Sequence, residues 1–79
     1  MQSTVIAPDS LITGGTSIGA RCLIGAATVI DDCIIGDAVT IEDGAHLSHS
    51  FIAHGATISA GTVKNGHYLS KKLDLPIPL

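Results

Sequence analysis

From Ile6 onward an aliphatic residue returns every six positions: Ile6, Ile12, Ile18, Ile24, Ile30, then Ile35, Ile41, Leu47, then Ile52 and Ile58. Nine of these ten are isoleucine, and a small residue follows four places after most of them: Ser10, Thr16, Cys22, Thr28, Val39, Ala45, Ala56 and Thr62. A helix wants apolar residues three and four apart and a half-buried strand alternates every two, so neither produces a period of six. Six residues are too few for a strand plus a reversing hairpin. They are enough for a short strand and a bend, with the large and the small residue both turned inward. Three such units close a triangular coil.

Two units run one residue short, Ile30 to Ile34 and Leu47 to Phe51, with Cys33 and Ser50 in the small slot. Taking every third unit gives three faces: a first at Ile6, Ile24, Ile41 and Ile58, a second at Ile12, Ile30 and Leu47, and a third at Ile18, Ile35 and Ile52. Both short units fall on the second face, so successive coils stack in register. Gly19, Gly36 and Ala53 form a further ladder, at a bend where a minimal side chain relieves crowding.

The stretches "IGARCL", "IGAATV" and "IGDAVT" resemble the hexapeptide repeat of the left-handed parallel β-helix superfamily, over residues 6 to 63. The resemblance implies an all-β fold: a left-handed parallel β-helix of about three triangular coils with a short C-terminal capping tail. The handedness comes from the resemblance alone, because parallel crossovers are ordinarily right-handed. Within the superfamily, "VIDDCIIGDAVTI" and "HLSHSFIAHGATI" are similar to the carboxy-terminal domain of sugar-1-phosphate nucleotidyltransferases. Gly14-Gly15 falls at a coil corner and not between a strand and a helix, so this stretch carries no phosphate loop and not the nucleotidyl-transfer reaction.

Residues 1–63 therefore read as the hexapeptide-repeat β-helix and residues 64–79 as a cap or docking tail. After Val63 the period fails: "KNGHYLSKKLDLPIPL" predicts a turn at Asn65-Gly66, a short helical turn around Tyr68 to Leu73 and an extended end. A coil stack exposes strand edges at its ends. Tyr68, Leu69, Leu73 and Leu75 are the expected cover for the last coil, the alternative being an arm that inserts into another chain.

A chain of 79 residues builds a small core and usually needs a staple or a partner. With one Phe, one Tyr and no Trp, its apolar mass is aliphatic, which suits a layered core. Cys22 and Cys33 are too few for a disulfide framework and read as reduced core residues. Residues 1–63 carry one cation against six carboxylates, a net charge of −5, while the tail carries a net charge of +2. An acidic body argues against nucleic acid or an anionic membrane as partner. The sequence contains neither a spanning segment nor signal-peptide features, so the expected compartment is the cytoplasm.

The candidate site residues are His49 and His54, each stacked one strand spacing from an acidic neighbour, Asp32 and Asp37 respectively. His46 belongs instead to an outward column with Leu11, Val29 and Val63. The plainest reading is structural: the two histidines replace the Asn or Asp usual at these corners, as Asp31, Asp32, Glu42 and Asp43 form other solvated corners. Two chemical readings stand beside it. His49-x4-His54 has the spacing of the paired zinc histidines in γ-class carbonic anhydrases, where three imidazoles leave an open position. His54, however, occupies the third place of its unit, and no histidine precedes His46. In hexapeptide acyltransferases a histidine between subunits is the general base, and Asp32 or Asp37 could orient such an imidazole with acyl-coenzyme A as cofactor.

Ser17, Ile34 and Phe51 precede the unit starts of the third face and point outward, and Leu11, Val29 and Val63 make a second exposed column. Contiguous apolar columns on so small a domain mark a contact surface. The expectation is a homo-oligomer, a trimer by resemblance, acting as an oligomerisation or assembly module of the kind attached to sugar-nucleotide enzymes. No cofactor or metal is expected for that role, and the chain by itself is expected to be non-catalytic. The alternative is a minimal hexapeptide acyltransferase, or, behind it, a γ-carbonic-anhydrase-like zinc site.

Overall fold

A computed structural model describes residues 4–76. The chain is a left-handed parallel β-helix, and every inward unit start assigned from the period occupies a strand. The first face is built from β1 (Val5–Ile6), β4 (Leu23–Ile24), β7 (Thr40–Ile41) and β10 (Thr57–Ile58). The second holds β2 (Leu11–Thr13), β5 (Val29–Asp31), β8 (His46–Ser48) and β11 (Val63–Asn65). The third holds β3 (Ser17–Ile18), β6 (Ile34–Ile35), β9 (Phe51–Ile52) and β12 (His67–Leu69), closed on its outer edge by β13 (Asp74–Pro76). All pairings are parallel except β12 with β13. The register matches the periodic one: Ile6 lies on Ile24, Ile12 on Ile30 and Ile18 on Ile35.

The interior is a set of aliphatic columns alternating with small-residue columns. Ile30, Cys33, Ile41, Leu47 and Ile52 are fully buried, as are the small ladder residues Cys22, Val39, Ala45 and Ala56. Thr28 and Ser50 are buried too, and each hydroxyl donates to a nearby carbonyl, Gly25 at 2.9 Å and Ser48 at 2.8 Å. Among the described residues no buried polar side-chain atom lacks a partner. Both cysteines are free and buried, and burial pushes the Cys33 thiol above its usual range, against hydrogen bonding with the backbone of Ser50 and Asp31, which pulls it down.

The ladders continue two strands further than the hexapeptide period. Lys64 aligns with Leu47 and Leu69 with Ile52, so the chain completes a fourth turn. The helical turn expected over Tyr68 to Leu73 is absent: Tyr68 and Leu69 lie in β12, Ser70 opens a tight turn, and the chain returns antiparallel as β13. The period is lost to the eye because its inward slot in β11 is filled by lysine. The aliphatic stem covers the end of the stack and the ammonium escapes to Asp74. Of the four expected cover residues, Leu69 enters the core and Tyr68 stacks outside on Phe51, ring centroids 5.4 Å apart. Leu73 and Leu75 stay half exposed. Residues 77–79 of the expected extended end lie outside the described residues.

Candidate functional site

The corners are where the chemistry-bearing side chains collect. At the corner between the second and third faces, Gly14, Asp32, His49 and Gly66 stack with φ of 68°, 55°, 50° and 72°, a left-handed bend that glycine and short polar residues adopt most readily. His49 Nε2 stands 3.6 Å from Asp32 Oδ2, both side chains about half exposed. Asp32 Oδ1 accepts from the Gly15 N–H at 3.3 Å, so this carboxylate serves the coil before it as well as the imidazole after it.

At the corner between the third and first faces the same task passes from one residue to the next. Asp37 Oδ1 accepts the Ala20 N–H at 2.8 Å, and His54 Nδ1 accepts the Asp37 N–H at 2.8 Å. His54 thus stands for a carboxylate: its ring lies over Asp37 as the register requires, but binds the backbone and not the Asp37 side chain. Accepting at Nδ1 puts the ring proton on Nε2 in the neutral tautomer. The ladder of Gly19, Gly36 and Ala53 has its cause here. A Cβ on Gly36 lies 2.7 Å from His54 Nδ1, so the corner side chain occupies the space that a larger residue needs. The first-to-second corner repeats the device, with Asp43 Oδ1 accepting from the Ala26 N–H at 2.8 Å.

His46 points outward from β8 between Val29 and Val63. The three histidines of the central stretch therefore occupy separate places: His46 on the second face, His49 and His54 at two different corners. Among the described residues no three His, Cys, Asp or Glu side chains gather as a metal site.

Sequence reasoning passed over a cluster at the end of the stack. Asp74 receives Lys64 Nζ at 2.7 Å on Oδ2 and meets His67 Nδ1 at 2.7 Å on Oδ1. The Lys64 hydrogen bond, then that of His67, holds the Asp74 carboxyl below its ordinary value. Beside it opens a cavity of about 200 Å³ bordered by Thr57, Thr62, Lys64, Ser70 and Leu73. The signal that finds this cluster is the coil length itself: adding 17 residues to Leu47 and Ser50 lands on Lys64 and His67.

The outward columns stand as ladders on two faces. On the third face Ser17, Ile34, Phe51, Tyr68 and Leu75 follow one another across five strands, with Ile34 53% and Phe51 39% exposed. On the second, Leu11 is 56% and Val63 72% exposed, while Val29 is half-buried and His46 interrupts the apolar run. No helix among the described residues is long and apolar enough to cross a membrane.

No family model and no curated protein matches the chain. Among solved structures it is similar to the acetyltransferase domain of PglB from Neisseria gonorrhoeae FA1090, at 18% sequence identity and a TM-score of 0.30. That alignment takes in 95% of this chain, which spans 58% of the acetyltransferase domain's length.

Proposed function

We propose that this chain is an assembly module: a left-handed β-helix that associates with copies of itself, as a trimer, and brings together whatever it is joined to, in the manner of the β-helix domains of sugar-nucleotide enzymes. The observation that carries the reading is the third-face ladder of Ile34, Phe51, Tyr68 and Leu75. Apolar residues stand there in the outward position of successive strands, where a solitary solvated sheet carries polar ones. The second-face column of Leu11, Val29 and Val63 adds to it. The test is the solution mass by light scattering. The wild type is expected above the monomer mass, and Ile34→Asp with Phe51→Asp is expected to return it to the monomer. A wild type that stays monomeric throughout the accessible concentration range refutes the reading.

One observation favours a second reading, a minimal acyltransferase with acyl-coenzyme A as cofactor. His49 stands beside Asp32 at the corner flanked by both apolar columns, so its imidazole is available to a boundary between copies. His54 lends this reading less, because its Nδ1 already accepts from the Asp37 backbone. Calorimetric titration with acetyl-coenzyme A separates the two: binding that His49→Ala abolishes favours the enzyme.

A further inference from the structure

The three sheets of a triangular coil face roughly 120° apart, and the two short dimensions of the molecule are equal at 22 Å, which makes the cross-section close to equilateral. Two flat faces press together only when their outward directions oppose. A three-fold axis along the stack turns each copy by about 120° from the next, so any two faces of neighbouring copies differ by a multiple of about 120° and never oppose. A two-fold axis does oppose a face with itself. A ring of three must instead set a corner of one copy on a face of the next.

We infer that the corner between the second and third faces of one copy seats on the third face of its neighbour, and that Asp31 of the first copy pairs there with Arg21 of the second. The inference rests on the assembly reading above and specifies its contact. The third-face ladder and the Leu11 column flank this corner, so seating it closes Leu11 and Val29 of one copy and Ile34 and Phe51 of the other into a single wedge. The corner between the third and first faces does less. Its other flank carries Val5 and Leu23 exposed in the outward row but turns polar at Thr40 and Thr57, and using it leaves the Leu11 and Val63 column uncovered.

Charge makes the same choice. Asp31 ends β5 at the seated corner, where Thr13 Oγ1 donates to its Oδ1 at 2.9 Å and Oδ2 has no partner among the described residues. Arg21 lies at the far edge of the third face, exposed, with neither an ion pair nor a side-chain hydrogen bond among the described residues. A carboxylate entering an apolar wedge needs an opposite charge. The two residues are 10 apart in a chain that advances one coil in 17, so in a parallel ring they stand roughly 3 Å apart in height, within the reach of an arginine side chain. The arrangement puts His49 at the boundary between copies.

The experiment is light scattering on the purified chain carrying Arg21→Asp, Asp31→Arg, or both. The wild type is expected at three times the chain mass. Each single reversal is expected to weaken association at least tenfold, and the double reversal to restore it. Aspartate suits the left-handed backbone at position 21, where φ is 58°, so circular dichroism is expected to show an unchanged fold. A two-copy wild type, or a three-copy mass that neither reversal moves, overturns the corner contact and leaves the assembly reading standing. A monomeric wild type overturns both. If a reversal fails to fold, salt decides: the three-copy mass must fall as sodium chloride rises from about 0.05 M to about 1 M, and a mass that holds refutes the ion pair.

Discussion

Replacing Ile30 by Ala and Ile6 by Ala makes the same chemical change in one repeat position at two heights of the stack. Ile30 is fully buried with a coil on either side, whereas Ile6 is 43% exposed with a coil on one side only. Removing three carbons at about 0.8 kcal/mol each gives about 2.4 kcal/mol for Ile30, and the cavity left between two coils raises this to about 3 to 4 kcal/mol. At Ile6 nearly half of that surface is already in water and the space opens to solvent, so about 1 kcal/mol is expected. Urea titration followed by far-ultraviolet circular dichroism measures both, and the midpoints separate if the slope is unchanged. The reasoning assigns stability to contacts between neighbouring coils. Equal losses at the two positions refute it, because they make the end coil as well covered as the middle.

Three further outcomes follow from local geometry. Ala38, held at a φ of 57° on a corner, is expected to gain up to about 1 kcal/mol on replacement by Gly, and an unmoved or lowered urea midpoint contradicts the strain argument. The Cys33 thiol, buried and held above its usual range, is expected to resist a water-soluble thiol reagent until the coil unfolds; labelling much faster than unfolding speaks against its burial. Asp74 is held below its ordinary value of 3.8, so its stabilising effect is complete above that value and is lost as pH falls through the lower folded value. An acid titration of the wild type followed through Tyr68 is expected to show a loosening of β13 below pH 3.8 that Asp74→Asn removes, and a variant with the same acid profile counts against the Lys64–Asp74–His67 cluster.

The inward columns were legible because the large inward slot holds isoleucine in nine units of ten and the period alone assigns all ten unit starts to three faces. The fourth turn was not, because Lys64 satisfies an inward slot through its stem while showing a charge to any reading of hydropathy. The same substitution concealed β12 and led Tyr68 to Leu73 toward a helical turn. His49 and His54 were legible as corner residues stacked over Asp32 and Asp37. What the period does not encode is which atom each meets: His49 faces a carboxylate, His54 an amide N–H, and the backbone differs with them, since His49 itself takes the left-handed conformation whereas His54 precedes the left-handed Gly55. Lys64, His67 and Asp74 were missed since a chain reversal after Ser70, local to the turn, brings the last of them back.

The corner hydrogen bonds each reach back 17 residues, from Asp37 to Ala20, from Asp43 to Ala26 and from His54 to Asp37. Such a molecule changes length in whole turns. Inserting one complete coil between two others returns every side chain to the neighbour type it had before, whereas inserting a few residues moves an entire column from core to solvent. Duplication of a 17-residue block is thus the smallest edit that the architecture accepts silently. Gly15, the extra residue of the first turn beside Gly14, is absorbed at the corner itself: its N–H meets Asp32 Oδ1, and Ser17 is back in register on Ile34.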